Sequence, residues 1–121
     1  MMTKNNTTKK ISSNPIQIVM QFVGAKWKIL IIGELLEKEK RFSELKKALK
    51  CTSKVLIACL KEMEENGLIV REEENSSERA VYYYLTDLGY TMRPIVESMQ
   101  KWGKEYKKLK KLQDKYNNIL V

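Results

Sequence analysis

Thr52, Ser53 and Lys54 stand in succession, and Ile57, Ala58 and Lys61 follow them at helical spacing. On one helix face this set offers hydroxyls and a helix N-terminus to phosphate oxygens, methyl groups to thymine and, from Lys54, a cation to a guanine edge or a phosphate. Ahead of it, Arg41, Ser43, Lys46, Lys47 and Lys50 supply groups of the kind that hold a sugar–phosphate backbone without reading its sequence, and Arg79 adds one more downstream. The alternative is that all of these are ordinary cap and surface residues. Catalytic chemistry has less to work with. The chain contains no histidine, so it has no Ser–His or Cys–His pair and lacks the commonest zinc ligand. It has no Gly-rich phosphate loop either. We expect no catalytic residue, no metal and no cofactor. The two cysteines, Cys51 and Cys59, could be a redox pair or small apolar residues. If Cys51 precedes a helix that contains Cys59, their Cα atoms lie about 12 Å apart, beyond the roughly 7 Å that a disulfide spans. Buried apolar roles fit them better than sensing.

Charge supports a polyanionic partner. The chain carries a formal net charge of +8 over 121 residues, unevenly spread. Residues 38–61 hold eight Lys or Arg against two Glu, residues 62–78 seven Glu against one Arg, and residues 101–121 seven Lys against two acids. The first basic block coincides with the candidate contact residues. Glu72, Glu73 and Glu74 would repel phosphate and are expected to face away from it.

These side chains need elements to position them. Residues 1–13, rich in Lys, Asn and Thr, are expected to fray. Asn14-Pro15 reads as cap and first turn of a helix with Ile16, Val19, Met20 and Val23 on its apolar face. A second helix over 25–37 turns Trp27, Leu30, Ile31 and Leu35 inward. Arg41-Phe42 is an extended link, and Ser43 caps a short helix over 44–49 that buries Leu45 and Leu49. Thr52 or Ser53 caps a fourth helix to about residue 66, with Leu56, Leu60 and Met63 as its core stripe and Gly67 as its left-handed stop. Short helix, tight turn, capped helix is the order of a helix-turn-helix. Strands over 68–72 and 79–85 follow, joined by a tip at 75–78, with Val81, Tyr83 and Leu85 alternating on one face. Thr86 caps a long last helix bearing Leu88, Met92, Ile95, Met99 and Trp102. Pro94 should kink it and Gly103 break it, with a continuation carrying Tyr106, Leu109, Leu112 and Tyr116. The fold class is mainly α with a small β-hairpin: a winged helix-turn-helix with additional N- and C-terminal dimerisation helices. Its expected divisions are a flexible segment over 1–13, the winged domain over 14–103 and a helical extension over 104–121.

Several stretches resemble HxlR-type winged-helix regulators, within the MarR-like group. Gly24-Ala25-Lys26-Trp27-Lys28-Ile29-Leu30-Ile31-Ile32 is similar to the family's "GGKW-x-LLIL" run, and Arg41-Phe42-Ser43-Glu44-Leu45 to its "RF-x-EL" turn. Lys54-Val55-Leu56, Leu60-Lys61-Glu62-Met63-Glu64 and Gly67-Leu68-Ile69 resemble its recognition helix and exit. Tyr83-Tyr84-Leu85-Thr86-Asp87-Leu88-Gly89, Met92-Arg93-Pro94-Ile95 and Lys101-Trp102-Gly103 resemble "Y-x-LT-x-x-G", "LRPVL" and "WG". The match spans about residues 14–103 in the right order. It implies a bacterial or archaeal dimeric regulator of transcription that binds operator DNA, with the first and last helices forming the dimer. Three departures stand out. Asn14-Pro15 replaces a Cys-Pro whose cysteine senses oxidants in some members. The turn before the recognition helix is one residue shorter, which puts Cys51 where an aliphatic residue is usual. Ala80 takes the place of a wing arginine, with Arg79 one step earlier.

The expected partners are double-stranded DNA and a second copy of the chain, with room for a small-molecule effector of unknown kind and no membrane. The dimer residues are Ile16, Val19, Met20, Val23, Met92, Ile95, Met99 and Trp102. Trp27 and Trp102 fit core or dimer anchors better than ligand-stacking platforms. No apolar leader opens the sequence, and the longest apolar run, residues 29–32, is too short for a membrane span, so the expected compartment is the cytoplasm. We expect a repressor acting on an inverted repeat. The alternatives are a winged-helix module that only contacts proteins, which would show no salt-dependent DNA affinity, and a small basic RNA-binding protein, although the paired aromatic motif of common RNA modules is missing.

Overall fold

The computed structural model describes residues 11–23, 25–75 and 80–120. Among the described residues nine elements follow one another: α1 (Pro15–Val23), α2 (Lys26–Glu37), β1 (Lys40–Arg41), α3 (Phe42–Leu49), α4 (Ser53–Glu65), β2 (Ile69–Glu73), β3 (Val81–Leu85), α5 (Asp87–Tyr90) and α6 (Arg93–Leu120). The sheet has three antiparallel strands in the order β1-β3-β2. It is a winged helix-turn-helix, with helices added before and after it.

Local chemistry explains most boundaries. The Asn14 side chain accepts from the backbone N–H of Ile16 at 2.9 Å and of Gln17 at 3.3 Å, so Asn14 caps α1 as the sequence suggests. Thr52 caps α4 by accepting from Val55 N–H at 3.2 Å. Gly67 ends the turn after α4 at φ 78°, and Lys50 holds the α3–α4 turn at φ 56°. Thr86 fastens the hairpin to the end of α4. Its hydroxyl donates to the Gly67 carbonyl at 2.6 Å and accepts from Gly89 N–H at 3.0 Å. A Cβ at Gly89 would collide with the Leu68 carbonyl, so only glycine lets α5 lie this close.

The core gathers Ile31, Ile32 and Leu35 from α2, Leu45 from α3, and Leu56, Leu60 and Met63 from α4. Leu68, Ile69, Tyr83 and Leu85 join them from the sheet and its approach. Met92 and Val96 close it from α6.

Six expectations need correction. Leu30 points outward, and Lys28 and Ile32 take the inward positions of α2. Ser43 lies inside the first turn of α3. The N-cap is Arg41, because β1 pairs Arg41 with Tyr82 and the chain turns immediately after it. The Glu44 carboxylate accepts from Arg41 N–H at 2.8 Å. The stretch expected to be a simple link is thus partly a third strand. Thr86 caps a separate short helix, not the long last one. Pro94 has no N–H to give the Tyr90 carbonyl, so the chain breaks at residues 91–92 and restarts with Pro94 in the first turn of α6, where it is tolerated without a kink. Gly103 does not interrupt α6. A helical glycine costs about 1 kcal/mol relative to alanine, too little to break a 28-residue helix.

Candidate nucleic-acid interface

α4 buries Leu56, Leu60 and Met63 against the core, which turns Thr52, Lys54, Ile57, Ala58 and Lys61 to solvent, with Ser53 half-buried. Ile57 is 55% exposed, more than a β-branched residue gains from water, and sits on the face that sequence reasoning assigned to base edges. Ser43, Lys46 and Lys47 on α3 and Lys50 in the turn are exposed beside it. Arg41 is half-buried, with its guanidinium 5.9 Å from the centre of the Tyr82 ring. Arg79 lies outside the described residues.

Not all of the basic block is available to a ligand. Lys40 is buried at the foot of the sheet, with its Nζ 2.6 Å from Glu34 and 3.0 Å from Glu37. Burial works against its charge, but the hydrogen bonds and attraction of the two carboxylates outweigh that and hold its pKa above the ordinary lysine value. Lys28, also buried, forms an ion pair with Glu62 that ties α2 to the rear of α4. Neither role was foreseen, because a lysine enters a core only when neighbouring elements supply partners.

The wing carries a cation that sequence reasoning passed over. Arg71 on β2 is exposed and shares an open cleft of about 550 Å³ with Arg41, Ser43, Ile57 and Tyr83. It was hidden in a run of seven glutamates. The signal that finds it is register: Arg71 lies directly opposite the buried Tyr83, so the two share a sheet face. Glu72, Glu73 and Glu74 are exposed, and Glu74 accepts a hydrogen bond from the Tyr82 hydroxyl, which with its charge raises the Tyr82 pKa.

Of the residues assigned to a dimer face, Ile16, Val19, Met20, Met99 and Trp102 are exposed and Ile95 is half-buried. Met92 is 7% exposed and belongs to the protomer's own core. The Val23 side chain lies outside what is described. Trp27 is half-buried, with Lys26 Nζ 4.5 Å from its ring centre. Cys51 and Cys59 are free and half-buried. Burial raises the Cys59 pKa, opposed by Lys28 and reinforced by Glu62, which leaves it a poor thiolate at neutral pH. Among the described residues no cluster of His, Cys, Asp and Glu could hold a metal, and no single helix is long and apolar enough to cross a membrane.

The HxlR-like helix-turn-helix family matches this chain over residues 22–111. The uncharacterized HTH-type transcriptional regulator YdeP of Bacillus subtilis is 35% identical over 94 residues, covering 77% of this chain and 73% of that protein. YdzF of the same organism, with the same description, is 38% identical over 100 residues, covering 81% and 92%. The solved structure of the redox regulator HypR in its oxidized form superposes with a TM-score of 0.71 at 31% identity, covering 76% of this chain and 96% of that one.

Proposed function

Since this chain belongs to the HxlR-like helix-turn-helix family and is a DNA-binding transcriptional regulator of the winged-helix type, not an enzyme, we propose that it works as a homodimeric repressor on an inverted-repeat operator. The observation that carries the dimer is the outer half of α6. Met99, Trp102, Tyr106, Leu109, Gln113 and Tyr116 recur at alternating spacings of three and four, the seam of a two-stranded coil. Apart from Gln113 all are large apolar residues, and all are exposed, Trp102 at 66%. Ile16, 74% exposed, Val19 and Met20 add a second apolar face on α1. A second copy of the chain covers both faces by two-fold symmetry. In this reading residues 14–103 are the winged domain, which begins both dimer faces, and residues 104–121 are a helical extension that prolongs the α6 seam.

A two-fold dimer presents two copies of α4 to DNA. The helix enters the major groove with Lys54 on a base edge, Ile57 and Ala58 on thymine methyls, and Thr52, Ser53 and Lys61 on flanking phosphates. Arg41, Ser43, Lys46, Lys47 and Lys50 position it on the backbone, and Arg79 contacts DNA from the wing. Repression then requires only occupancy: a dimer seated on a promoter excludes polymerase and needs no further surface. An apolar cleft of about 490 Å³, bounded by Val19, Phe22, Leu88 and Ile95, reaches Glu65 and Asn66 at the end of α4, and an apolar effector bound there would act on the reading helix. The work is done where a bacterial chromosome lies, in the cytoplasm.

The test combines mass and footprint. The unaltered protein should sediment as a dimer and protect two half-sites centred about 34–36 Å apart. Trp102→Glu together with Leu109→Glu should give a folded monomer that binds the same DNA weakly. A reporter on the bound promoter should rise when the protein is deleted. A dimer mass that survives both substitutions would overturn the α6 seam.

A further inference from the structure

We propose that Arg71 is a DNA-phosphate contact of the wing, held in reserve by Glu73. This rests on the reading of α4 as the helix that enters the major groove. That helix, about 10–12 Å across with its side chains, fills a groove about 12 Å wide. Side chains immediately beside its exposed face therefore meet the phosphates that border the groove. Arg71 is placed there. It lines the same cleft as Ile57 on the exposed face of α4, and Arg41 and Ser43 line that cleft from the start of α3. Its register opposite Tyr83 sends it to the α4 side of the sheet, while Glu72, opposite Tyr82, goes to the other side.

Arg71 is the one cation of β2, followed by Glu72 and Glu73, in a hairpin whose four glutamates outnumber its two arginines. A wing this acidic approaches DNA only if a cation leads. Glu73, two residues on, shares that face, contrary to the expectation that it turns away from phosphate, and holds its Oε2 3.8 Å from Arg71 Nη1. Both side chains are well exposed, and the pair is longer than a charge-assisted hydrogen bond. Exposed pairs of this kind are weak and screened, so a phosphate displaces the carboxylate readily. The same carboxylate repels DNA until that exchange is made. Glu73 thus raises the threshold for binding, and Arg71 supplies the contact once it is crossed.

The experiment measures affinity for the selected operator and for a duplex of unrelated sequence, across a range of salt. Arg71→Ala should weaken both by the same factor, about tenfold, as for loss of a charged hydrogen bond. It should lower the salt slope by about 1. Arg71→Lys should keep the slope. Glu73→Gln should move the other way, tightening both duplexes, a gain that no purely structural role of the pair produces. Because both residues are exposed, melting of the variants should match the parent. Should Arg71→Ala fold poorly, Glu73→Gln still decides. Normal operator binding that neither variant alters would overturn this inference alone. Failure of the unaltered chain to bind any duplex would overturn the reading beneath it as well.

Discussion

α4 and the outer half of α6 both carry an apolar stripe at helical spacing with lysines among the remaining positions, yet their surroundings are opposite. In α4, Leu56, Leu60 and Met63 are at most 1% exposed, covered by α2 and β2 of the same chain. In α6, Trp102, Tyr106, Leu109, Leu112, Tyr116 and Ile119 all stand in solvent. Spacing states that a helix has a face to bury. It does not state whose atoms bury it. The difference also assigns work: α4 has its apolar side satisfied and so can spend its polar side on a ligand, whereas α6 still has its apolar side to satisfy.

The comparison can be broken at either helix. Leu60→Ala should cost about 3 kcal/mol, as for a fully buried leucine, and urea melts should show the same loss in dilute and concentrated samples. Leu109→Ala should behave differently. In concentrated protein it should lower the melting temperature, because the seam between copies loses packing. In dilute protein it should change little, because there the residue faces water in both variants. Equal losses at every concentration would show that Leu109 packs within its own chain. The smallest effect sharpens the comparison at the start of α4. Lys50 sits at φ 56°, a conformation that costs a side chain and not a glycine. Lys50→Gly should stabilise the fold by about 1 kcal/mol while weakening DNA binding uniformly across sequences, seen as a raised melting temperature and a lower salt slope together.

Much of the helical framework was legible in the sequence because its signals are local. Asn14, Thr52 and Gly67 sit where caps and stops belong, and Leu56, Leu60 and Met63 mark their own inward face. What escaped depends on neighbours distant in sequence. β1 is two residues long and exists only because Tyr82 and Tyr83 pair with it. Lys28 and Lys40 are buried because Glu62, Glu34 and Glu37 come to meet them. Met92, read as part of an outward stripe, is drawn inward once α5 breaks away from α6. Arg71 belongs with the basic residues of α3 and α4 only after the hairpin register brings it opposite Tyr83. Of the groups nominated for DNA, Thr52, Lys54, Ile57, Ala58, Lys61, Ser43, Lys46, Lys47 and Lys50 are exposed as charge and helical phase suggest, while Ser53 and Arg41 are half-buried. Arg71, proposed as a further contact, is placed by sheet pairing and so had no local signal.

The uninterrupted passage of α6 through Gly103 makes the outer seam and the winged domain a single stiff piece. In such a piece, angular phase is counted in residues. Each residue inserted between Val96, anchored in the core, and Trp102 would rotate the seam by about 100° and advance it about 1.5 Å. Two copies joined along that seam would then hold their reading helices at a new angle and separation. In the proposed dimer the helix would act as a ruler, and the half-site spacing that the pair accepts would be written in the length of a segment that need not touch DNA.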